Sequence, residues 1–383
     1  MAALSRRGQV AFVAFFALYA CIVIPLGVRK GDDIMAEITQ AERLLTGQMI
    51  NTAPPGQGTW WPPFGALLVT PFALLARFSM PLAKAAWGGV GILALAWSVW
   101  TAGRRWGWRP AWAALAVVIF PVHNNFHHLN IETILLALLV AAAADLSDGR
   151  QGRAGTWVGL ATALKVFPGL VLPYFAWRRQ WKALGVGIAV LAGVTLLALV
   201  PYGPRGMVEA LQNWVTLALH GQNYQGGTVA AFHMQKLGRL GYAIGGAPAS
   251  IYALQVLAVG LVLAILVRRP PNDDAPLEVG SVVLLAVLLT PVAWLHTFTL
   301  GYLAWVAVVA YAPADSRAWR AGLWIAGIYA STALSALALP PALGFVTFFN
   351  DTLGALVALG LLLMLRVRRT ARTASTLTSP VPA

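Results

Sequence analysis

Long apolar runs recur along this chain and limit the folds that it can adopt. Runs of roughly 17–25 residues alternate with short clusters of Lys and Arg, which is the pattern of membrane-spanning α-helices. Hydrophobic residues make up 59% of the chain and charged residues 10%, against about 25% charged residues in a soluble domain. The alternating segments of about 10 residues that build a transmembrane β-barrel are absent from the sequence. We therefore predict an all-α polytopic membrane protein with about 12 transmembrane helices.

The basic residues serve as topology signals in this interpretation. The net charge is +14, but Lys and Arg fall in short groups between apolar runs, as positive-inside signals do. Nucleic acid is therefore excluded as a partner. Arg6 and Arg7 place the N-terminus in the cytoplasm, and the first apolar run lacks a small-residue cleavage site, so we predict a retained helix. Cys21 is the single cysteine, which leaves no disulfide framework and no metal-thiolate site.

The first predicted span, about Val10–Leu26, leads into an outer loop over residues 27–81. Within this loop Ile34–Gly47 has a helical pattern, and Gly47 is a suitable C-terminal stop. Phe64–Phe78 is apolar but short. If it crossed the membrane, the next basic cluster would end outside, so the positive-inside rule favours a helix that lies along the outer surface.

Further apolar runs predict the remaining spans. They are Leu82–Thr101, Ala111–Pro121, Thr133–Asp145, Ala183–Val200, Ile251–Val267, Val279–Trp294, Phe298–Ala312, Trp319–Leu339 and Thr352–Leu365. Residues 154–177 are too few for two full spans, so they form either two short helices folded at Lys165 or a re-entrant hairpin. A long outer loop covers residues 201–248. We predict one membrane domain over residues 1–366 and a disordered cytoplasmic tail over residues 367–383.

Polar side chains gather in the predicted outer segments. They are Asp32, Asp33, His123, His127, His128, Asn130, Glu132, Lys165, Gln222, Asn223, Gln225, His233 and His296. Carboxylates near a bilayer are costly unless they are used or paired. Carboxylate, imidazole and ammonium groups on one face of the membrane are suited to acid–base chemistry on an anionic substrate.

These groups also have structural interpretations. Asp32 and Asp33 can balance Arg29 and Lys30 or cap the following helix. Lys165 can extend its ammonium group to the membrane interface.

A metal site is a further possibility in the second outer segment. His123 and His127 are spaced i, i+4, which would let one helical turn present both to Zn²⁺, with Glu132 nearby. Because no His-Glu-x-x-His motif accompanies them, we predict no metal and favour polar contacts to a bound substrate.

A set of short segments carries a resemblance to a known family. They are Gly31–Gly47 with its aspartates, Trp61-Pro62-Pro63-Phe64, Leu129-Asn130-Ile131-Glu132, Gly159–Pro168 with Lys165 followed by Trp177–Trp181, and Leu289–His296. With them the chain resembles the GT-C superfamily of polyprenyl-phosphate-sugar-dependent glycosyltransferases, and within it family 87, the polyprenol-phosphate-mannose-dependent α-mannosyltransferase-like proteins.

The resemblance is incomplete at several positions. Glu37 and Ile38 stand where the family has a Tyr after the first-loop Asp. His128 and Leu129 replace a Gly-Gln pair, and Thr297 replaces the second of two adjacent histidines. These departures bear on the choice of sugar and acceptor more than on the fold.

The resemblance implies a membrane glycosyltransferase with a GT-C-type helical bundle. Such an enzyme moves a hexose or pentose, for example mannose, from a polyprenyl-phosphate sugar to a lipid-linked or glycan acceptor, with inversion. It would act at the outer face of the bacterial inner membrane, with both termini in the cytoplasm. No cofactor is implied, because the leaving group is a lipid monophosphate.

The resemblance also implies roles for individual residues. Asp33, or failing that Asp32, is the expected general base. The groups expected to neutralise the leaving phosphate are Lys165, Arg29, Lys30 and His296. The other expected substrate contacts are Trp61, His127, His128, Asn130, Glu132, Asn223 and Gln225.

A transporter or flippase for a lipid-linked or anionic substrate is the alternative, and a non-enzymatic scaffold is a further one. A transporter is expected to hold its ionisable residues at the bilayer midplane and to contain internal repeats. Here the ionisable residues cluster at the predicted outer mouth and the sequence shows no evident repeat, so the transferase is favoured.

Overall fold

The computed structural model describes residues 4–52, 61–220, 248–267, 275–290, 293–313 and 350–378, with a few isolated positions between 317 and 323. Every regular element in these ranges is helical, as the sequence predicts. The α-helices are α1 (Arg6–Arg29), α2 (Asp32–Leu45), α3 (Pro63–Ala76), α4 (Met80–Trp106), α5 (Trp108–Val117), α6 (Ile119–His128), α7 (Glu132–Ser147), α8 (Gln151–Leu164), α9 (Val171–Trp177), α10 (Trp181–Leu199), α11 (Gly203–His220), α12 (Pro248–Val267), α13 (Ala275–Leu289), α14 (Tyr302–Tyr311) and α15 (Asn350–Thr378). Short 3₁₀ helices cover Phe167–Leu170, Val200–Tyr202 and Leu295–Gly301.

Several of these helices have the length and composition of membrane spans. Within the described ranges, three helical stretches are long and apolar enough to cross a bilayer, namely Arg6–Arg29, Met80–Trp106 and Trp181–Thr216. The described ranges also contain shorter apolar helices of 10–17 residues. The membrane character predicted from the sequence is thereby confirmed, whereas the number of about 12 spans stays a prediction.

Successive helices run back and forth between two ends of the bundle. α4 packs against α1 and α7, and α8 packs against α7 and α10. The end of α1, the starts of α2 and α7 and the end of α8 meet at one end, where Asp32 contacts His128 and Lys165 contacts Glu132. We call this the site end.

The opposite end holds a second set of charged groups. Asp145 accepts a hydrogen bond from Arg150 Nε at 2.7 Å. Glu278 at the start of α13 forms ion pairs with Arg178 and Arg366. These arginines belong to the clusters that the positive-inside pattern assigns to the cytoplasm. We call this the basic end.

Residues 154–177 form two short helical arms. α8 has 14 residues and rises about 21 Å, which is less than the ~30 Å hydrocarbon core. The second arm consists of the 3₁₀ helix Phe167–Leu170 and α9. The chain thus turns at Lys165, at the site end, and returns to Arg178 at the basic end. Two short helices were one of the two arrangements predicted.

The predicted span Ala111–Pro121 is broken in the structure. α5 ends at Val117 and α6 continues to His128, through most of the predicted outer turn. The cause is Pro121, which lacks an N–H to donate to the carbonyl of Val117 and whose ring would clash with that carbonyl.

The C-terminal segment also differs from the prediction. α15 continues to Thr378, so residues 367–378 are helical where we predicted a disordered tail. The Arg368 guanidinium lies 5.0 Å from the ring centroid of Trp319, and that of Arg369 lies 4.4 Å from the ring centroid of Tyr311. Such cation–π contacts stabilise this part of the helix. Of the predicted outer loop over residues 201–248, the first part is α11, and residues 221–247 lie outside the described ranges.

The first loop contains two helices, as predicted, and the structure shows that they pack against each other. α2 lies against α3, and α3 lies against α4. Arg77, just after α3, forms an exposed ion pair with Glu42 of α2 at 2.7 Å. α2 begins at Asp32 rather than at Ile34. Both aspartates therefore stand in its first turn, where the helix dipole favours negative charge.

Candidate active site

A tight turn places the two aspartates at the site end. Gly31 has φ 31° and ψ 54°, a left-handed conformation that glycine adopts without strain. Its amide donates to the carbonyl of His127 at 3.1 Å. A Cβ at this position would lie 2.5 Å from the carbonyl oxygen of Gly27 and 2.7 Å from Leu129 Cδ1. Glycine is therefore required here, and it lets α2 start at Asp32 directly after α1.

Asp33 is the first member of a chain of polar contacts. Its Oδ2 accepts a hydrogen bond from Asn130 Nδ2 at 2.6 Å. Asn130 Oδ1 in turn accepts from the Ile131 amide at 2.7 Å and from Lys165 Nζ at 3.3 Å. Lys165 Nζ also forms an ion pair with Glu132 Oε1. Three separate segments of sequence thus supply one connected network.

Asp32 has different surroundings from its neighbour. Its side chain is 66% exposed, and its Oδ1 lies 2.7 Å from His128 Nδ1. Asp33 is partly buried and turned toward Asn130. The two adjacent carboxylates therefore face different partners.

These surroundings move the pKa values of the two aspartates in opposite directions. Burial raises the pKa of Asp33, and the opposing hydrogen bond from Asn130 and the charge of His128 do not cancel that effect. Burial also acts to raise the pKa of Asp32, but the hydrogen bond and charge of His128 outweigh it, and the pKa is lowered. Asp33 is therefore the stronger proton acceptor of the pair.

Lys165 owes its position to a proline. α8 ends at Leu164 because Pro168, four residues later, cannot donate to the Leu164 carbonyl and would clash with it. Lys165 itself is extended, with φ −150° and ψ 135°. Its ammonium group lies 5.7 Å from the centroid of the Phe167 ring. Because an ammonium group has three donors, its bonds to Glu132 and Asn130 leave one for a ligand.

Glu132 is held at the start of α7. Its side chain is 0% exposed, and its amide donates to Asn125 Oδ1 at 3.0 Å. Leu129, with φ 54°, forms the left-handed turn between α6 and α7, and its carbonyl accepts from Trp87 Nε1 at 2.9 Å. The sequence reasoning missed Asn125 and Trp87. A polar residue near a helix end, as Asn125 is, was the only available signal for the first.

His296 lies at the start of the 3₁₀ helix Leu295–Gly301 and is buried. Its ring centroid is 6.1 Å from that of His128, so it belongs to the same end of the bundle as the aspartates. Neither ring nitrogen has a hydrogen-bond partner among the described residues. Because buried polar groups nearly always have partners, His296 is a candidate ligand contact.

Other predicted residues lie farther from the network or outside the described ranges. Arg29 and Lys30 are exposed at the end of α1. Lys84 is buried and donates to the Lys30 carbonyl at 3.0 Å. No ion pair joins Arg29 or Lys30 to the network in the described ranges. The predicted polar residues of the long outer loop, which are Gln222, Asn223, Gln225 and His233, lie outside the described residues.

Trp61 and His127 complete the predicted set. Trp61 is 5% exposed and packs against Trp87, with ring centroids 6.2 Å apart. It therefore supports the site from within the core, and its contact with substrate stays a prediction. His127 is partly buried, and its ring centroid lies 5.0 Å from that of His128.

The structure also changes the candidate metal ligands. Ligand atoms of Asp32, Asp33 and His128 all lie within 4.8 Å of one another. Carboxylate and imidazole groups are metal ligands, so this triad could hold an ion. The spacing of His123 and His127 had suggested a different site, and in the described ranges these two residues are not part of such a group.

Comparison with known proteins identifies the family. The sequence model of glycosyltransferase family 87 matches residues 60–291. The chain belongs to glycosyltransferase family 87. The match begins after α2, so the assignment of a role to Asp33 rests on geometry.

Two proteins similar to this family-87 chain are mycobacterial. The polyprenol-phosphate-mannose-dependent α-(1-2)-phosphatidylinositol mannoside mannosyltransferase of Mycolicibacterium smegmatis is 28% identical over 302 residues, covering 70% of this chain and 65% of the relative. The corresponding pentamannoside mannosyltransferase of the same organism is 26% identical over 253 residues, covering 62% and 57%. The chain thus spans less than two thirds of the length of these relatives.

Among solved structures, ArnT from Cupriavidus metallidurans bound to undecaprenyl phosphate gives a TM-score of 0.46 at 17% identity, covering 95% of this chain and 79% of that chain. The apo state of the same protein gives a TM-score of 0.47 at 16% identity.

Proposed function

We propose that this family-87 protein transfers a sugar from a polyprenyl-phosphate sugar to an acceptor hydroxyl, with Asp33 as the general base. The observation that carries the proposal is the network that joins Asp33 through Asn130 to Lys165. It sets a proton acceptor and a cation at one end of the bundle. The names of the mycobacterial relatives, which specify a polyprenol-phosphate-mannose donor, support the choice of donor.

The proposed reaction transfers one proton to Asp33 and one sugar to the acceptor. The acceptor hydroxyl gives its proton to Asp33 while its oxygen attacks the anomeric carbon of the donor sugar. The bond from that carbon to the phosphate oxygen breaks, and polyprenyl phosphate leaves from the opposite face, so the configuration inverts. Asn130 orients the carboxylate through its bond to Oδ2. A base positioned in this way contributes roughly 10²–10⁴-fold to the rate.

The departing phosphate gains negative charge that a cation must stabilise. Lys165 is the proposed cation, because one ammonium donor remains after its bonds to Glu132 and Asn130. The ion pair with Glu132 fixes the direction of the ammonium group. His296 is the proposed second phosphate contact, and Arg29 and Lys30 attract the anionic headgroup at the mouth of the site.

We propose an α-mannoside, lipid-linked or part of a glycan, as the first acceptor to test, because the relatives are named for phosphatidylinositol mannosides. We also propose that transfer is independent of metal. Lys165 supplies the charge that a metal would supply, and the Asp33 oxygen Oδ2 is already bonded to Asn130. Chelation with EDTA should then leave the rate unchanged. A rate restored only by added divalent ions would assign the Asp32, Asp33 and His128 group to metal binding.

We propose that the protein lies in a bacterial inner membrane, with both termini in the cytoplasm and the site end facing outward. Support comes from the arginines of the basic end, among them Arg105, Arg150 and Arg178, which lie opposite Asp33. Accessibility of cysteines introduced at Gln9 and Thr39 to a membrane-impermeant reagent tests it, in a background in which Cys21 is replaced by Ala. Labelling at Gln9 in intact cells would refute it.

Transfer from a panel of polyprenyl-phosphate sugars to octyl α-mannoside, with the full-length protein in nanodiscs, tests the function. Asp33→Asn should reduce transfer by about 10²–10⁴-fold and leave donor binding within twofold. Asp32→Asn is the matched control, because it removes the same charge one residue away, and it should retain most of the rate. Full activity of Asp33→Asn with an inactive Asp32→Asn would reverse the assignment. Net movement of the lipid across the bilayer without sugar transfer would favour a flippase.

A further inference from the structure

One buried carboxylate near the network has no role in the mechanism above. Glu37 lies in α2, one helical turn after Asp33, and is 2% exposed. Residues four apart on a helix share a face, with Cβ atoms about 5–6 Å apart. Glu37 Oε2 has no hydrogen-bond partner in the described part of the chain. The Glu37 carboxyl group therefore lies beside the proposed base, and its Oε2 can form a hydrogen bond with a ligand.

The rest of the buried face of α2 shows that Glu37 is an exception. The other buried side chains on this helix are Ile34, Ile38, Ala41, Leu44 and Gln40. All are apolar except Gln40, whose Oε1 accepts from the Asn51 amide at 2.8 Å. Helix packing alone would favour an apolar residue at position 37, because burying a carboxyl group without a partner is costly.

The electrostatics of Glu37 favour its neutral form. Burial raises the pKa of Glu37 well above its usual value, the charge of Asp33 raises it further, and the charge of Lys165 opposes them only in part. No ion pair to Glu37 is found among the described residues. A protonated carboxyl group offers one donor and one acceptor, which is the combination that a sugar hydroxyl satisfies.

We propose that Glu37 binds a hydroxyl group of the acceptor sugar and determines which acceptor is used. This inference rests on the proposed function, because Asp33 must contact the attacking hydroxyl of the acceptor. A group one turn farther along the same face then meets another hydroxyl of the same molecule.

The test uses the full-length protein in nanodiscs with octyl α-mannoside and its monodeoxy analogues as probes. Glu37→Leu and Glu37→Gln are compared with Glu42→Gln, a control on the exposed side of the same helix whose carboxylate pairs with Arg77. The measured quantities are the acceptor Kd, corrected for empty nanodiscs, the KM values of donor and acceptor, and the Tm.

Glu37→Leu should weaken acceptor binding by about tenfold or more while the donor KM stays within twofold. Wild type should reject one deoxy analogue that Glu37→Leu binds as well as the parent mannoside. Glu37→Gln resembles the protonated acid and should retain more affinity than Glu37→Leu. Neither variant should lower the Tm, because a buried carboxyl group without a partner is removed or replaced by an amide.

An unchanged acceptor Kd and unchanged discrimination in Glu37→Leu, with or without a lower Tm, would overturn the inference. Binding is measured apart from transfer so that the two proposals fail separately. If wild type transfers no sugar but binds octyl α-mannoside in a Glu37-dependent way, the proposed function fails and Glu37 remains an acceptor ligand.

Discussion

The ion pair of Lys165 with Glu132 allows the catalytic and structural roles of the lysine to be separated. Glu132 is 0% exposed and Lys165 is 19% exposed, so the pair is largely shielded from water. Lys165→Met removes one partner and leaves a buried carboxylate uncompensated. Breaking a buried pair in this way costs about 3–5 kcal/mol. The single variant should therefore lose both stability and activity, and its inactivity alone would prove nothing about catalysis.

The double variant Lys165→Met with Glu132→Leu resolves the ambiguity. Replacing both members of a buried ion pair by apolar residues is often neutral or stabilising, so most of the lost stability should return. Transfer should not return, because the departing phosphate still lacks its cation. Removal of one group that stabilises developing charge lowers kcat by about 10²–10³-fold, and we expect a loss of that order.

The assay combines thermal unfolding with transfer kinetics, both on the full-length protein in nanodiscs. Lys182→Met, at an exposed lysine in the first turn of α10 at the basic end, is the control for removing a positive charge. A double variant that regains both stability and wild-type kcat would refute the phosphate role of Lys165. A single variant as stable as wild type would show that Glu132 does not depend on the ion pair.

Two further predictions follow from the same end of the bundle. Burial raises the pKa of Asp33, and the base must be ionised, so kcat/KM should rise with pH through that raised pKa. Asp32→Asn removes a negative charge that helps to raise the pKa of Asp33, so this rise in kcat/KM should move to lower pH. A pH–rate profile that does not move would contradict the assignment of Asp33. Gly31→Ala should lower the Tm and abolish transfer for two reasons. The left-handed backbone conformation costs an alanine about 1–2 kcal/mol, and the new Cβ would lie 2.5 Å from the Gly27 carbonyl oxygen. Gly47→Ala carries similar strain at φ 70° with no atom within 4 Å of the new Cβ, so equal effects of the two variants would disprove the role of close packing at Gly31.

Much of the helix layout was predictable, because it follows from local chemistry. Apolar length and flanking arginines predicted α1 and α4, and a proline four residues after the last helical residue explains where α5 and α8 end. Pro121 carried the signal for the broken span, although the sequence reasoning did not use it. The helical residues beyond Arg366 were missed, because the cation–π contacts of Arg368 and Arg369 depend on residues distant in sequence.

The site was predictable as a set of residues but not as a set of contacts. Topology predicted that Asp33, Lys165 and His296 lie at one end of the bundle, and the structure places them there. It could not reveal that Asn130 bonds both Asp33 and Lys165, since these contacts join residues that are 97 and 35 positions apart in sequence. Nor could it reveal that Trp61 is buried against Trp87.

By itself the sequence determined that this chain is a bundle of membrane helices with an acidic pair and a lysine on one side. Both properties follow from the cost of placing charge in hydrocarbon, which acts on each segment separately. Only the tertiary structure decided between the two aspartates. It exposes Asp32 beside His128 and partly buries Asp33 beside Asn130, because adjacent residues on a helix point in different directions and meet different neighbours. The same packing leaves Glu37 buried and without a hydrogen-bond partner for Oε2 among the described residues.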